Sequence, residues 1–148
     1  MGLKEKVNED LKNSMKSGNK LRTETLRMLR AQVIEFDKRG LDREMNEEDD
    51  MTILLSAVKK RKESIEQYQK AGRAELVDAE TKEIEIISEY LPKQLSRDEA
   101  ESIIAKIIGQ SGAASAKDFG TVMPLVMKEL KGKIDGKLIS EIVKQKLG

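Results

Sequence analysis

The segment KGKIDGKLI, Lys131 to Ile139, combines glycines and lysines as loops that hold a phosphate do. A P-loop requires G-x-x-x-x-G-K-[ST] after a strand, so that backbone amides surround the phosphates of a nucleotide. Here Gly132 and Gly136 are one residue too close, Leu138 stands in the Ser/Thr place, and no strand can be read before them. We therefore expect this segment to join two helices and not to hold a nucleotide.

Each position of this junction has a structural explanation except its lysines. We expect Gly132 to end one helix in the left-handed region and Asp135 to cap the next. The buried face of that next helix would consist of Leu138, Ile139, Ile142, Val143 and Leu147. The lysines that surround the turn suit the phosphates of a nucleic-acid backbone, and they are Lys128, Lys131, Lys133 and Lys137.

A second basic run, KKRK, is the other candidate for RNA contact. It consists of Lys59, Lys60, Arg61 and Lys62. Four consecutive residues of a helix point around its whole circumference, which does not favour one partner. A solvated helix surface, with Glu63 and Glu66 as ion-pair partners, is the simpler interpretation, and RNA contact is the alternative.

The composition leaves few options for catalysis. The chain has no Cys and no His, so thiolate chemistry, disulfides, the usual general base and the commonest zinc ligand are excluded. Ser111, Ser115 and Lys117 resemble a Ser–Lys amidase constellation, but no oxyanion hole can be read around them. The acidic run 47–50 lacks the spacing of a calcium loop. We predict no cofactor, no metal and no independent enzymatic activity.

A glycine pair, GQSG at Gly109 to Gly112, matches the G-x-x-G of KH domains, which bind single-stranded RNA. A KH domain needs strands on both sides of this motif, and none can be read here. We therefore expect GQSG to be a flexible loop.

The elements that position these residues are predicted to be helices. Apolar residues recur at helical spacing almost throughout, and no comparable stretch has the period of a strand. Examples are Leu3, Val7 and Leu11, then Leu26, Leu29, Val33 and Phe36, then Leu54, Val58, Ile65 and Tyr68. Asn46 followed by four acidic residues predicts the start of a long helix. The predicted fold class is all-α and multihelical.

Pro92 marks a predicted boundary between two subdomains. It blocks the preceding helix, and Ser96 with Glu99 forms the S-x-x-E capping box that opens another. We predict an N-terminal helical subdomain with long helices, 1–92, and a C-terminal three-helix bundle, 93–148. The bundle's helices are expected near 97–108, 118–130 (bent or interrupted at Pro124) and 136–147. With 10 basic and 7 acidic residues, the bundle is the basic part of the chain.

No segment predicts a membrane partner. The N-terminus is charged from Lys4, and no run approaches the roughly 18 apolar residues of a membrane span. We expect a cytoplasmic protein.

The chain resembles the GatB/YqeY family over almost its whole length. Three stretches carry the resemblance: LRTETLRMLRAQV (21–33), KKRKESIEQYQKAGRAELVDAETKEIEIISEYLPKQLS (59–96) and KDFGTVMPLVMKELKGKIDGKLISEIVKQKL (117–147). The resemblance implies a stand-alone member of the family, with an all-helical fold and a three-helix C-terminal bundle. Members of the family tend to have a small residue where Pro124 stands.

The resemblance also implies a function. A similar module forms the tail of the B subunit of the glutamine-dependent aspartyl/glutamyl-tRNA amidotransferase, where it contacts tRNA while other domains carry the chemistry. Our leading hypothesis is therefore a non-catalytic accessory module that binds tRNA or a tRNA-linked protein. One alternative is participation in glutamine-dependent aminoacyl-tRNA amidation, a carbon–nitrogen ligase activity. Another is a protein-interaction module with an apolar groove lined by Met123, Met127 and Leu130, although these residues suit a core better.

Overall fold

A computed structural model describes residues 2–40 and 42–148. These residues form seven α-helices and one short 3-10 helix, Ala116–Asp118, and they contain no strand, which confirms the all-α prediction. The helices are α1 (Leu3–Ser17), α2 (Lys20–Asp37), α3 (Glu47–Lys70), α4 (Ala74–Ser88), α5 (Arg97–Ser111), α6 (Phe119–Leu130) and α7 (Gly136–Leu147). The chain divides into two compact units, Met1–Leu91 with α1 to α4 and Pro92–Gly148 with α5 to α7.

The N-terminal unit buries one apolar stripe from each of its four helices. Two residues, Gly18 and Asn19, join α1 to α2, and a short turn joins α3 to α4. Full burial of a Val, Leu or Ile side chain contributes about 1.5–3 kcal/mol, so these stripes hold the helices together. The shared core consists of Leu3, Val7, Leu29, Val33, Ile53, Leu54, Ala57, Val58 and Ile87.

The start of α3 confirms the helix-start interpretation of its acidic run. The Asn46 side chain accepts the Asp49 amide at 3.0 Å, and the Asp49 carboxylate accepts the Asn46 amide at 2.9 Å. The Arg43 guanidinium also binds this carboxylate, with one bond of 3.0 Å. Arg43 first, and then the Asn46 amide, lower the pKa of Asp49 to about 2. The neighbouring Asp50 accepts the Leu3 amide at 3.2 Å, so both carboxylates have structural roles.

The C-terminal unit has its own core, made by the facing stripes of α5, α6 and α7. Its buried members are Ala100, Ile104, Val122, Val126, Leu130, Ile139, Ile142, Val143 and Leu147. The stripe predicted for the last helix is confirmed, since four of its residues are buried and Leu138 packs against them from the edge. The predicted capping box at Ser96 and Glu99 is present and opens α5.

The interpretation of GQSG as a flexible loop was wrong. Gly109, Gln110 and Ser111 are the last residues of α5, which is longer than predicted. Only Gly112 has a left-handed backbone, with φ of 75°, and it ends the helix. A glycine inside a helix costs about 1 kcal/mol relative to alanine, and the remaining turns of α5 tolerate that cost.

Helix α6 is not interrupted at Pro124, since it is helical from Phe119 to Leu130. Proline lacks the amide that would bond to the carbonyl four residues earlier, which belongs to Gly120. Both Gly120 and Pro124 are exposed, so water can satisfy that carbonyl. The 3-10 helix runs directly into α6 and lengthens the helical segment ahead of the proline.

Candidate nucleic-acid interface

The turn between α6 and α7, which we call the lysine turn (residues 131–136), is held by its own backbone and by a neighbouring segment. The Lys133 amide donates to the Leu130 carbonyl at 2.9 Å, and Gly132 has a φ of 81°, which confirms its predicted left-handed conformation. The Gln94 side-chain amide donates to the Gly132 carbonyl at 2.7 Å. The Leu95 amide donates to the Lys133 carbonyl at 2.8 Å. The turn is therefore fixed on both sides.

The four lysines predicted around this junction lie at one end of the C-terminal unit, where α6 ends and α7 begins. Lys128, Lys131 and Lys137 are exposed, and Lys133 is half-buried. None of the four makes an ion pair with a carboxylate of the described residues. The structure thus places four lysines without a carboxylate partner in or beside a fixed turn.

The amino end of α7 is a weaker binding site for an anion than the sequence indicated. Asp135 caps the helix as predicted, and its carboxylate accepts the Lys137 amide at 2.9 Å. This carboxylate uses one of the free amides and places a negative charge where the helix dipole would favour a phosphate. Any phosphate contact at the turn would therefore depend on the lysine side chains more than on the helix terminus.

Sequence reasoning missed Lys93. The extended segment before α5 bonds to the lysine turn through Gln94 and Leu95, so Lys93, which precedes them and is exposed, lies at the same end of the unit. Ser96 chiefly lowers the pKa of Glu99, and Lys93 adds a smaller contribution, which puts Lys93 near the start of α5. No local motif marks this lysine, because its position depends on a contact across 38 residues.

The KKRK run divides into three exposed lysines and one buried arginine. Lys59, Lys60 and Lys62 are exposed on different sides of α3, as the helical geometry predicted. Arg61 is 5% exposed and is not available to a nucleic acid. The candidate RNA contacts in this run therefore reduce to the three lysines.

Arg61 is instead part of a polar cluster inside the N-terminal unit. Its Nε donates to the Glu83 carboxylate at 3.1 Å, and its Nη1 donates to the Ala57 carbonyl at 3.0 Å. Glu80 belongs to the same cluster, and its pKa is raised by burial and by the nearby charge of Glu83. The helix periodicity of KKRK could not reveal this, because Glu83 is 22 residues away on another helix.

A protein-family model described as Yqey-like protein matches residues 4–147, nearly the entire chain. The chain belongs to the Yqey-like family. This membership confirms the resemblance drawn from the three quoted stretches.

Several curated fungal proteins are similar to this Yqey-like chain. One is Altered inheritance of mitochondria protein 41, mitochondrial, of Pyrenophora tritici-repentis, 26% identical over 97% of this chain and 80% of the relative. The protein of the same name in Lachancea thermotolerans is 37% identical over 68% of this chain and 54% of the relative. An uncharacterized protein of Schizosaccharomyces pombe is 31% identical over 61% of this chain and 72% of the relative.

Ser111 and Ser115, which the sequence offered as candidates for an amidase site, lie at helix ends in this Yqey-like chain. The Ser111 hydroxyl donates to the Ile108 carbonyl at 2.8 Å and accepts the Ala113 amide at 3.2 Å. Ser115 and Asp118 form a capping box around the 3-10 helix. Both hydroxyls therefore stabilise local backbone.

The apolar residues that could have lined a groove belong to the core of the C-terminal unit. Leu130 is 1% exposed, and Met123 and Met127 pack against the same buried cluster. Leu125 is the exposed apolar residue of α6. Among residues 2–40 and 42–148, no helix is both long and apolar enough to cross a bilayer.

Proposed function

We propose that this Yqey-like chain is a non-catalytic RNA-binding module that contacts RNA phosphates through the lysine turn, with tRNA as its partner. The observation that carries the proposal is the group Lys128, Lys131, Lys133 and Lys137, none of which is paired with a described carboxylate. Lysine contacts to phosphates release counterions and supply most of the sequence-independent affinity for nucleic acids.

The fixed backbone of the turn also supports the proposal. The bonds from Gln94 and Leu95 hold the turn in one conformation, so the chain does not lose backbone freedom at this place on binding. Lys93 extends the same basic surface. The choice of tRNA depends on the resemblance to the amidotransferase tail, in which a similar module contacts tRNA.

The test compares two triple variants with the same loss of charge. Lys131, Lys133 and Lys137 are replaced by Gln in the first variant. In the matched control, Lys106, Lys117 and Lys146 are replaced by Gln, since these exposed lysines lie outside the lysine turn. Each protein is titrated with an unfractionated tRNA pool at several salt concentrations.

We expect the first variant to bind tRNA more weakly and to lose about two units from the slope of log affinity against log salt, as three phosphate contacts would give. The control should keep the slope of the wild type, and both variants should melt within about 1 °C of it, because exposed lysines contribute little to stability. Equal slopes for the two variants would refute the proposal and leave the turn as a structural junction.

The absence of independent catalysis is tested separately. We expect the purified chain, given misacylated tRNA, glutamine and ATP, to form no amidated product, because it has no His or Cys and its serine hydroxyls bind local backbone. Turnover that disappears in Ser111→Ala, but persists in a matched Ser56→Ala variant, would contradict this part of the proposal.

A further inference from the structure

A shallow groove runs along the N-terminal unit between α1 and α2. Its lining consists of Lys4, Val7, Asn8, Arg30, Val33 and Ile34. The cavity volume of about 30 Å³ is far below the roughly 300–1,000 Å³ that small-molecule sites usually occupy. Its floor is apolar and its rim is basic, which suits one charged group near the surface better than an enclosed cofactor.

Two arginines of α2 are held in place by neutral atoms: Arg30 lines the groove, and Arg27 lies about one turn earlier, outside its lining. The Arg30 Nε donates to the Asn8 side-chain oxygen at 2.9 Å, and the Arg27 Nη2 contacts the Met15 sulfur at 3.6 Å. Residues three apart on a helix lie on one face, and both side chains extend from that face of α2 to α1. Each contact uses one donor and leaves the others of the guanidinium fork available.

The neutral partners distinguish this pair from most other arginines in the described part of the chain. Five arginines bind carboxylates: Arg22, Arg43, Arg61, Arg73 and Arg97. Arg39 instead lies over the Phe36 ring at 5.0 Å. Arg27 and Arg30 are exposed and make no ion pair with a carboxylate of the described residues. Lys4, which also lines the groove, is paired with Asp37 at 3.3 Å.

We infer that the groove with Arg30 on its rim, together with Arg27 about one turn away on α2, is a second contact surface for the phosphodiester backbone of RNA. A guanidinium fork matches the geometry of a phosphate, and a neutral partner orients it without cancelling its charge. The choice of RNA as partner rests on the proposed function, whereas the groove's preference for phosphate rests on its own residues.

A single isosteric change tests the role of the neutral partner. Asn8→Asp keeps both arginines and places a carboxylate against Arg30, while Asn13→Asp adds the same charge at an exposed position of α1 outside the groove. We expect Asn8→Asp to weaken the binding of tRNA and of a 20-nucleotide oligouridylate about twofold to threefold, and Asn13→Asp to bind like the wild type. Equal binding by the two variants would contradict the inference.

The double variant Arg27→Gln with Arg30→Gln removes the charges themselves, and Lys6→Gln with Lys70→Gln is its control at exposed positions outside the groove. The first should lower RNA affinity about threefold to tenfold and the salt slope by about 1.5 units. Replacing both arginines by Lys should restore most of the slope, because the charge is kept.

The experiments can refute the two proposed RNA contacts independently. If the groove variants bind like their controls while the lysine-turn variant is weakened, the groove is not a contact and the proposed function stands. If only the groove variants are weakened, the inference stands and the lysine turn loses its role. If the arginine pair matters for anionic phospholipid vesicles but not for either RNA, the groove serves a lipid surface and the inference is overturned.

Discussion

Replacing Arg61 by Met should destabilise the N-terminal unit strongly, although the substitution removes what looks in the sequence like a surface charge. The Arg61 side chain is 6% exposed and that of Glu83 is 19% exposed, so this ion pair is shielded from water. The guanidinium also caps the Ala57 carbonyl. Met fills most of the same volume but leaves the carboxylate and the carbonyl without their donor.

The expected loss is about 3 kcal/mol, at the lower end of the roughly 3–5 kcal/mol that follows removal of one partner from a buried pair, because Glu83 keeps some contact with water. Removing both partners, as in Arg61→Met with Glu83→Leu, leaves no unpaired charge from the ion pair. That double variant should lie within about 1 kcal/mol of the wild type, so adding Glu83→Leu to Arg61→Met should recover about 2 kcal/mol.

The loss should also depend on pH. Burial, and then the charge of Glu83, raise the pKa of Glu80, while Arg61 lowers it. Without Arg61 this pKa rises further. A carboxyl group whose pKa is higher in the folded state than in the unfolded state destabilises the fold when it is ionised. The stability that Arg61→Met loses is therefore largest near pH 7. It should shrink as the pH falls towards the unfolded glutamate pKa of about 4.3.

Urea denaturation followed by tyrosine near-UV circular dichroism measures this loss in the full chain. Both tyrosines, Tyr68 and Tyr90, belong to the N-terminal unit and the chain has no Trp, so this signal reports that unit. An Arg61→Met variant that loses less than about 1 kcal/mol at an unchanged m-value would refute the reasoning. A double variant as unstable as Arg61→Met would refute the part that concerns the unpaired charge.

Three further predictions concern helix ends and α6, and thermal melts by far-UV circular dichroism test each of them. Because the pKa of Asp49 is lowered to about 2, its stabilisation is complete above about pH 5 and is lost between about pH 5 and 2, so the melting difference between Asp49→Asn and wild type should close over that range. A constant difference would contradict the Arg43 contact. Gly132→Ala should lower the stability by about 1–2 kcal/mol, because the backbone φ at this position is 81°. Asp135→Ala should lower it by about 1 kcal/mol, because the cap of α7 is lost, and unchanged melting would contradict this cap. Pro124→Ala should stabilise the C-terminal unit by about 1–3 kcal/mol, and a loss would show that the ring packs favourably.

Features that depend on neighbouring residues were predictable from the sequence. The helix start at Asn46, the capping box at Ser96, the left-handed Gly132 and the buried stripe of α7 all involve residues within about one or two helical turns of each other. Chain connectivity alone brings such residues together. The wrong prediction for GQSG also concerns neighbouring residues. Its two glycines look alike in the sequence, but only Gly112 needs a positive φ.

The availability of a charge was not predictable, because it is decided by residues far away in the chain. Arg61 and Glu83 are 22 residues apart, as are Arg30 and Asn8, yet the first arginine meets a carboxylate and the second an amide. The helix pattern gives both arginines similar surroundings, so only the register between packed helices separates a structural ion pair from an uncompensated cation. The basic surfaces of a chain with 28 basic and 27 acidic residues therefore cannot be ranked by counting charges along the sequence. The useful quantity is the number of cations that make no ion pair in the fold, and by that measure the four lysines around the lysine turn rank above the KKRK run, in which Arg61 is bound to Glu83.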